Sequence, residues 1–158
     1  MPGADGRSAK TARYRDVHAE IMSVVEGEAN LVARMASIAA LLAAAFPEFL
    51  WTGFYLADGP GQLVVGPYQG TLGCLRIAFG QGVCGVAAAE RRTVVVPDVD
   101  AFEGHIACDS RAQSEIVVPV LDADGAVAAV LDVDSASLAA FDHEDAAALE
   151  AIAALTLP

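Results

Sequence analysis

EIVVPVLDADGAVAAVLDVDS, running from Glu115 to Ser135, sets two β-branched runs on either side of the tetrapeptide DADG. Such runs bounded by an Asp/Gly turn signal predict an antiparallel hairpin. A turn centred between Ala123 and Asp124 sets Glu115 opposite Asp132, and a turn on Asp124-Gly125 sets it opposite Asp134. Directly opposed residues share a face, and Asp132 and Asp134 share one through the period of two. Both registers therefore line one side of a sheet with three carboxylates, whereas a turn of odd length would break the arrangement.

Outward from this hairpin, the chain alternates in a consistent way. WTGFYLAD and QLVVGPYQG flank the turn signal DGPG and predict a second hairpin. LRIAFGQGVCGVAAAERRTVVVPD reads as a strand, a glycine-rich turn, a short alanine-rich helix and another strand, and residues 98–113 form the longest loop. Upstream, Val17, Ile21, Val24 and Val25 mark one amphipathic helix; Leu31, Met35, Ile38, Leu42 and Phe46 mark another that stops at Pro47. Downstream, Asp142 opens DHEDAAALEAIAALTLP with an acid three residues on, as in a capping box. Helices, then hairpin-linked strands, then a helix predict an α+β fold, an antiparallel sheet with helices packed on one face. The other face is left for loops or a ligand.

A chain of 158 residues fits a single domain. Residues 1–12 carry no apolar core and read as a disordered lead-in that is no signal peptide, with the domain over 13–158. The net charge is −12, and the nine Lys and Arg form no stripe, which disfavours nucleic acid and anionic membranes as partners. The apolar run Met35 to Phe46 is too short to span a bilayer. Three cysteines, an odd number, argue for reduced thiols in a cytoplasmic protein.

Opposed like charges on a sheet are unfavourable. Three of them suit either a proton donor of raised pKa and a bound ammonium group, or simply a solvated polar face. Trp51 and Tyr55 share a strand face with Gly53 between them, an aromatic wall with a gap where a ligand could meet the backbone. Such pairs are more often packing than ligand cages. Cys74, Cys84 and Cys108 contain no CxxC, and with His18, His105 and His143 they give no metal-ligand pattern, so no metal or cofactor is expected. Cys84 opens a short helix, where the helix dipole could favour a thiolate, although single cysteines are usually buried and inert. Cys108, beside Asp109 and three residues after His105 on the long loop, is the cysteine expected to be accessible.

WTGFYL (51–56), GPYQG (66–70), FGQGVCG (79–85), GHIACD (104–109), SEIVVP (114–119) and LDVDS (131–135), in that order, resemble the free methionine-(R)-sulfoxide reductases. Those are cytoplasmic enzymes built on a GAF domain, and the similarity runs from about Leu31 to the end. The resemblance implies a six-stranded antiparallel sheet with helices on one face and a loop-covered ligand pocket on the other, often in a homodimer. It implies reduction of free L-methionine-(R)-sulfoxide, with thioredoxin regenerating the enzyme. Carried over by position, Cys108 matches the catalytic thiol, Cys74 the resolving cysteine and Cys84 a third that can join a disulfide. Glu115, Asp132 and Asp134 match acids that bind the substrate amine and assist proton transfer, and Trp51 and Tyr55 match pocket residues. No role carries over to His105. The competing expectation is a GAF module that senses a small ligand or redox state without turnover.

Overall fold

The computed structural model describes residues 4–158. Four helices, α1 (Ala4–Val25), α2 (Leu31–Ala45), α3 (Gly82–Glu90) and α4 (His143–Ala153), accompany six strands. The strands are β1 (Phe49–Ala57), β2 (Gln62–Gln69), β3 (Arg76–Ala78), β4 (Val94–Val96), β5 (Ser114–Leu121) and β6 (Val127–Ser135). They form one antiparallel sheet in the order β3-β2-β1-β6-β5-β4. The two predicted hairpins thus meet along β1 and β6 at the centre of the sheet.

Alternation along the strands builds two cores. Phe54, Ile116, Leu131 and Val133 face α1, α2 and α4 and pack against Ile21, Met35, Leu42 and Leu149. Trp51, Tyr55, Val117 and Val130 face the opposite way, under α3. The sheet is therefore covered by helices on one side, as expected, while the other side shares its cover between α3 and the loops. Asp142 caps α4 through the predicted box, its side chain accepting from Asp145 N while the Asp145 side chain accepts from Asp142 N. Among the described residues, no helix is long and apolar enough to cross a membrane.

The lead-in differs from expectation. α1 begins at Ala4, because Lys10 pairs with Asp142 and Asp145 on α4, and Arg13 pairs with Glu48. Residues 1–3 lie outside the described residues.

One buried cation organises the chain ends. Arg34, in the first turn of α2, donates to the carbonyls of Val25, Glu28, Leu155, Thr156 and Leu157 at 2.7–3.3 Å. Two of these oxygens end α1 and the α4 segment, where the helix dipole is negative and welcomes a cation. Arg34→Met removes the guanidinium donors from these carbonyls, leaving Val25 O with only its bond from Glu28 N. A loss of about 3 kcal/mol or more in unfolding free energy is expected from urea titration, and Arg34→Lys should restore only part of it.

Candidate active site

The hairpin register decides where the acids fall. Asp122 N donates to Ala126 O at 2.8 Å, so the turn encloses three residues, Ala123 to Gly125, with Gly125 at φ 79°. A three-residue turn extended regularly would set Glu115 opposite Val133, and the acids would point to different faces. A bulge between Val120 and Leu121 absorbs one residue and sets Glu115 opposite Asp134 and Val117 opposite Asp132. The turn has odd length, yet Glu115, Asp132 and Asp134 share the face away from α1, α2 and α4.

They line one pocket with Trp51, Tyr55, Cys84, His105 and Cys108. Cys108 is joined to Cys74 by a disulfide, with Cα atoms 5.6 Å apart. This bond ties the exposed 104–113 loop to the segment between β2 and β3. Next to it, Thr71 Oγ1 donates to Asp109 at 2.7 Å, and Arg111 donates to both Asp109 oxygens at 2.8 and 3.1 Å. Arg111, helped by Thr71, holds the Asp109 carboxyl below the usual carboxylate range. Trp51 Nε1 donates to Thr71 O at 2.9 Å, so the same segment also rests on the aromatic wall.

Cys84 is buried within α3, and its thiol points at Glu115 Oε1 at 3.9 Å. Burial pushes this thiol well above its usual range, and Asp132, Glu115 and Asp134 push it further. The helix terminus offers a thiolate only about 0.3–1 kcal/mol. That is under the ~1.4 kcal/mol of a tenfold change in ionisation, and burial outweighs it several times. Burial and the acids therefore favour the thiol over the thiolate, against the pull of the helix terminus.

Burial raises Asp132 first, with Asp134 and Glu115 adding to it; burial raises Asp134 first, then Glu115 and Asp109. His105 Nε2 lies 3.7 Å from Glu115 Oε2, and that contact lifts the imidazole above its ordinary value against the effect of burial. Sequence spacing had no means of pairing His105 with Glu115, since irregular loop separates them. Burial likewise raises the Tyr55 phenol, with Asp132 next.

The gap at Gly53 has a different occupant from the one expected. A Cβ there would lie 2.2 Å from Tyr68 Cβ and 2.7 Å from Tyr68 Cα. β2 crosses here at an irregularity in the β1–β2 register, and Tyr68 stacks on Trp51 with ring centroids 4.9 Å apart. The missing side chain admits a neighbouring strand, and the aromatic wall gains a third ring. Because the clash is with backbone, Gly53→Ala is expected to lower the unfolding free energy from urea titration by roughly 1–3 kcal/mol and to alter the near-ultraviolet circular dichroism of the stacked rings.

A curled antiparallel sheet with α3 and two loops closing a pocket on one face defines a GAF domain; the family matches residues 26–156, and the chain belongs to it. Within that family it is similar to free methionine-R-sulfoxide reductases. The Saccharomyces cerevisiae enzyme of that name is 40% identical over 136 residues, covering 82% of this chain and 76% of the yeast protein. The Escherichia coli enzyme is 40% identical over 127 residues, covering 75% and 76%. The Neisseria meningitidis enzyme, solved in complex with its substrate, superposes with a TM-score of 0.89 at 51% identity, covering 93% of this chain and 87% of that one.

Proposed function

We propose that the protein reduces free L-methionine-(R)-sulfoxide to methionine through cysteine chemistry. The observation that carries this reading is the Cys74–Cys108 disulfide in the wall of a pocket that also holds three carboxylates and an aromatic face. A zwitterionic amino acid needs anions for its ammonium and an apolar wall for its methyl group, and a sulfoxide needs a thiolate and a proton. The similarity to enzymes named for that reaction supports the same substrate.

In the mechanism, Cys108 thiolate attacks the sulfoxide sulfur while a pocket acid gives its proton to the oxygen. The sulfur–oxygen bond of the substrate and the new sulfur–sulfur bond both break as the hydroxyl passes to Cys108, leaving a sulfenic acid there and releasing methionine. Cys74 thiol then displaces that oxygen as water and forms the disulfide. An external dithiol, thioredoxin, takes up the oxidation by exchange and returns both thiols. Asp134 and Asp132, raised by burial, suit the donor role, while Glu115 beside His105 suits the ammonium. Trp51 and Tyr55 hold the methyl end, and Cys84 stands in reserve.

With the disulfide formed, the pocket is a cavity of about 40 Å3. Pockets that bury drug-sized ligands begin near ~300 Å3, so binding of the smaller substrate is read as accompanied by movement of the loops once the disulfide is reduced. A cytoplasmic setting supplies the reductant this cycle needs. Met22 and Val24 on α1 and Val32 on α2, all exposed, support packing of a second copy.

The deciding assay couples thioredoxin oxidation to separate R and S epimers of free methionine sulfoxide. Consumption of the R epimer with stoichiometric methionine is expected. Consumption of neither epimer would overturn the reading, and binding without turnover would favour a sensor.

A further inference from the structure

The same cavity has the dimensions and donors of a metal site. Cys84 Sγ, a Glu115 oxygen and an Asp132 oxygen all lie within 4.8 Å of one another, and all three residues are buried. Tetrahedral zinc, with Zn–S about 2.3 Å and Zn–O about 2.0–2.2 Å, wants such ligand atoms roughly 3.5 Å apart. Cys84 Sγ already sits 3.9 Å from Glu115 Oε1, so a small contraction completes that edge. His105 adds a nitrogen donor beside the second Glu115 oxygen, at 3.7 Å.

A second, separate observation points to a ligand here. Asp132 is 5% exposed, and its Oδ1 has no hydrogen-bond partner, although it belongs to the pocket wall. A buried carboxylate oxygen left alone costs on the order of 1–3 kcal/mol, which a proton or a bound cation relieves. The cavity of about 40 Å3 is large enough for an ion with a water or two.

We infer that Cys84, Glu115 and Asp132 bind a zinc-class divalent cation in the disulfide form of the protein, the metal displacing the Cys84 thiol proton to solvent as it binds. Mixed thiolate and carboxylate donors suit a borderline ion over magnesium or calcium, which take oxygen alone. The site stands on geometry and does not depend on the proposed reaction. If the carboxylates also hold the substrate ammonium, zinc and substrate compete for the same oxygens, and a zinc-loaded oxidised protein is a resting form.

Cobalt(II) titrated into the full chain, with Cys74 and Cys108 oxidised, tests this, because Cys84 is then the only thiol present. The expected result is one cobalt per chain, with a thiolate-to-cobalt charge-transfer band in the near ultraviolet that zinc abolishes by displacement. Cys84→Ser should remove the band, and Asp132→Asn should weaken binding at least tenfold, while Glu20→Gln on the exposed face of α1 leaves it unchanged. Binding without the thiolate band, or equal binding by all three variants, would assign the cobalt to scattered surface acids and overturn the inference. Circular dichroism of each variant distinguishes loss of the site from loss of fold. No readout uses turnover, so a failed reductase assay and a failed metal titration are separate results.

Discussion

Cys108→Ser is expected to lower methionine formation by about a thousandfold or more, the scale seen when a catalytic nucleophile is removed. A serine hydroxyl ionises far above the working pH and cannot hold the transferred oxygen as a sulfenic acid. Cys108 is exposed on a loop and contributes nothing to either core, so the fold should survive. The fair reference is reduced wild type: a disulfide spanning 34 residues adds about 3–4 kcal/mol to the oxidised form alone. The Thr71–Asp109–Arg111 contacts remain to hold the loop near the pocket. Substrate affinity by calorimetry should therefore persist while turnover is lost. Full activity in this variant would remove Cys108 from the mechanism.

How far these residues could be read in advance depended on whether their partners were local. Strand period and turn signals carry through from sequence to sheet, so both hairpins, the α4 capping box and the shared face of the three acids were legible. The route to that face was not. The turn encloses an odd number of residues, and the compensating bulge at Val120 answers to packing across β5 and β6, which local propensity does not encode. Gly53 was read as an opening for a ligand because Tyr68, its actual neighbour, arrives from another strand. For Cys84 the helix dipole and burial pulled in opposite directions, and only the tertiary fold, which buries the thiol beside three acids, settles the balance. Arg34 gave no signal at all, since its partners are backbone carbonyls at both ends of the chain.

The second large effect separates the two remaining cysteines. Cys74→Ser should release one methionine per site in a first burst and then stall, with thioredoxin-dependent turnover reduced roughly tenfold to a hundredfold. The disulfide joins Cys108 to Cys74, while Cys84 is buried with its sulfur turned toward Glu115. To resolve a sulfenic acid, a thiol must reach the oxidised sulfur and ionise. Cys74, only partly buried on the segment that borders the loop, meets the first condition in the observed geometry. Burial among carboxylates opposes the second in Cys84. Rapid-quench methionine counting should find the burst intact, and dimedone should trap a long-lived sulfenic acid on Cys108. Cys84→Ser should recycle at close to the wild-type rate. Normal recycling in Cys74→Ser would transfer the resolving role to Cys84, and would require α3 to release it from the carboxylates during each cycle.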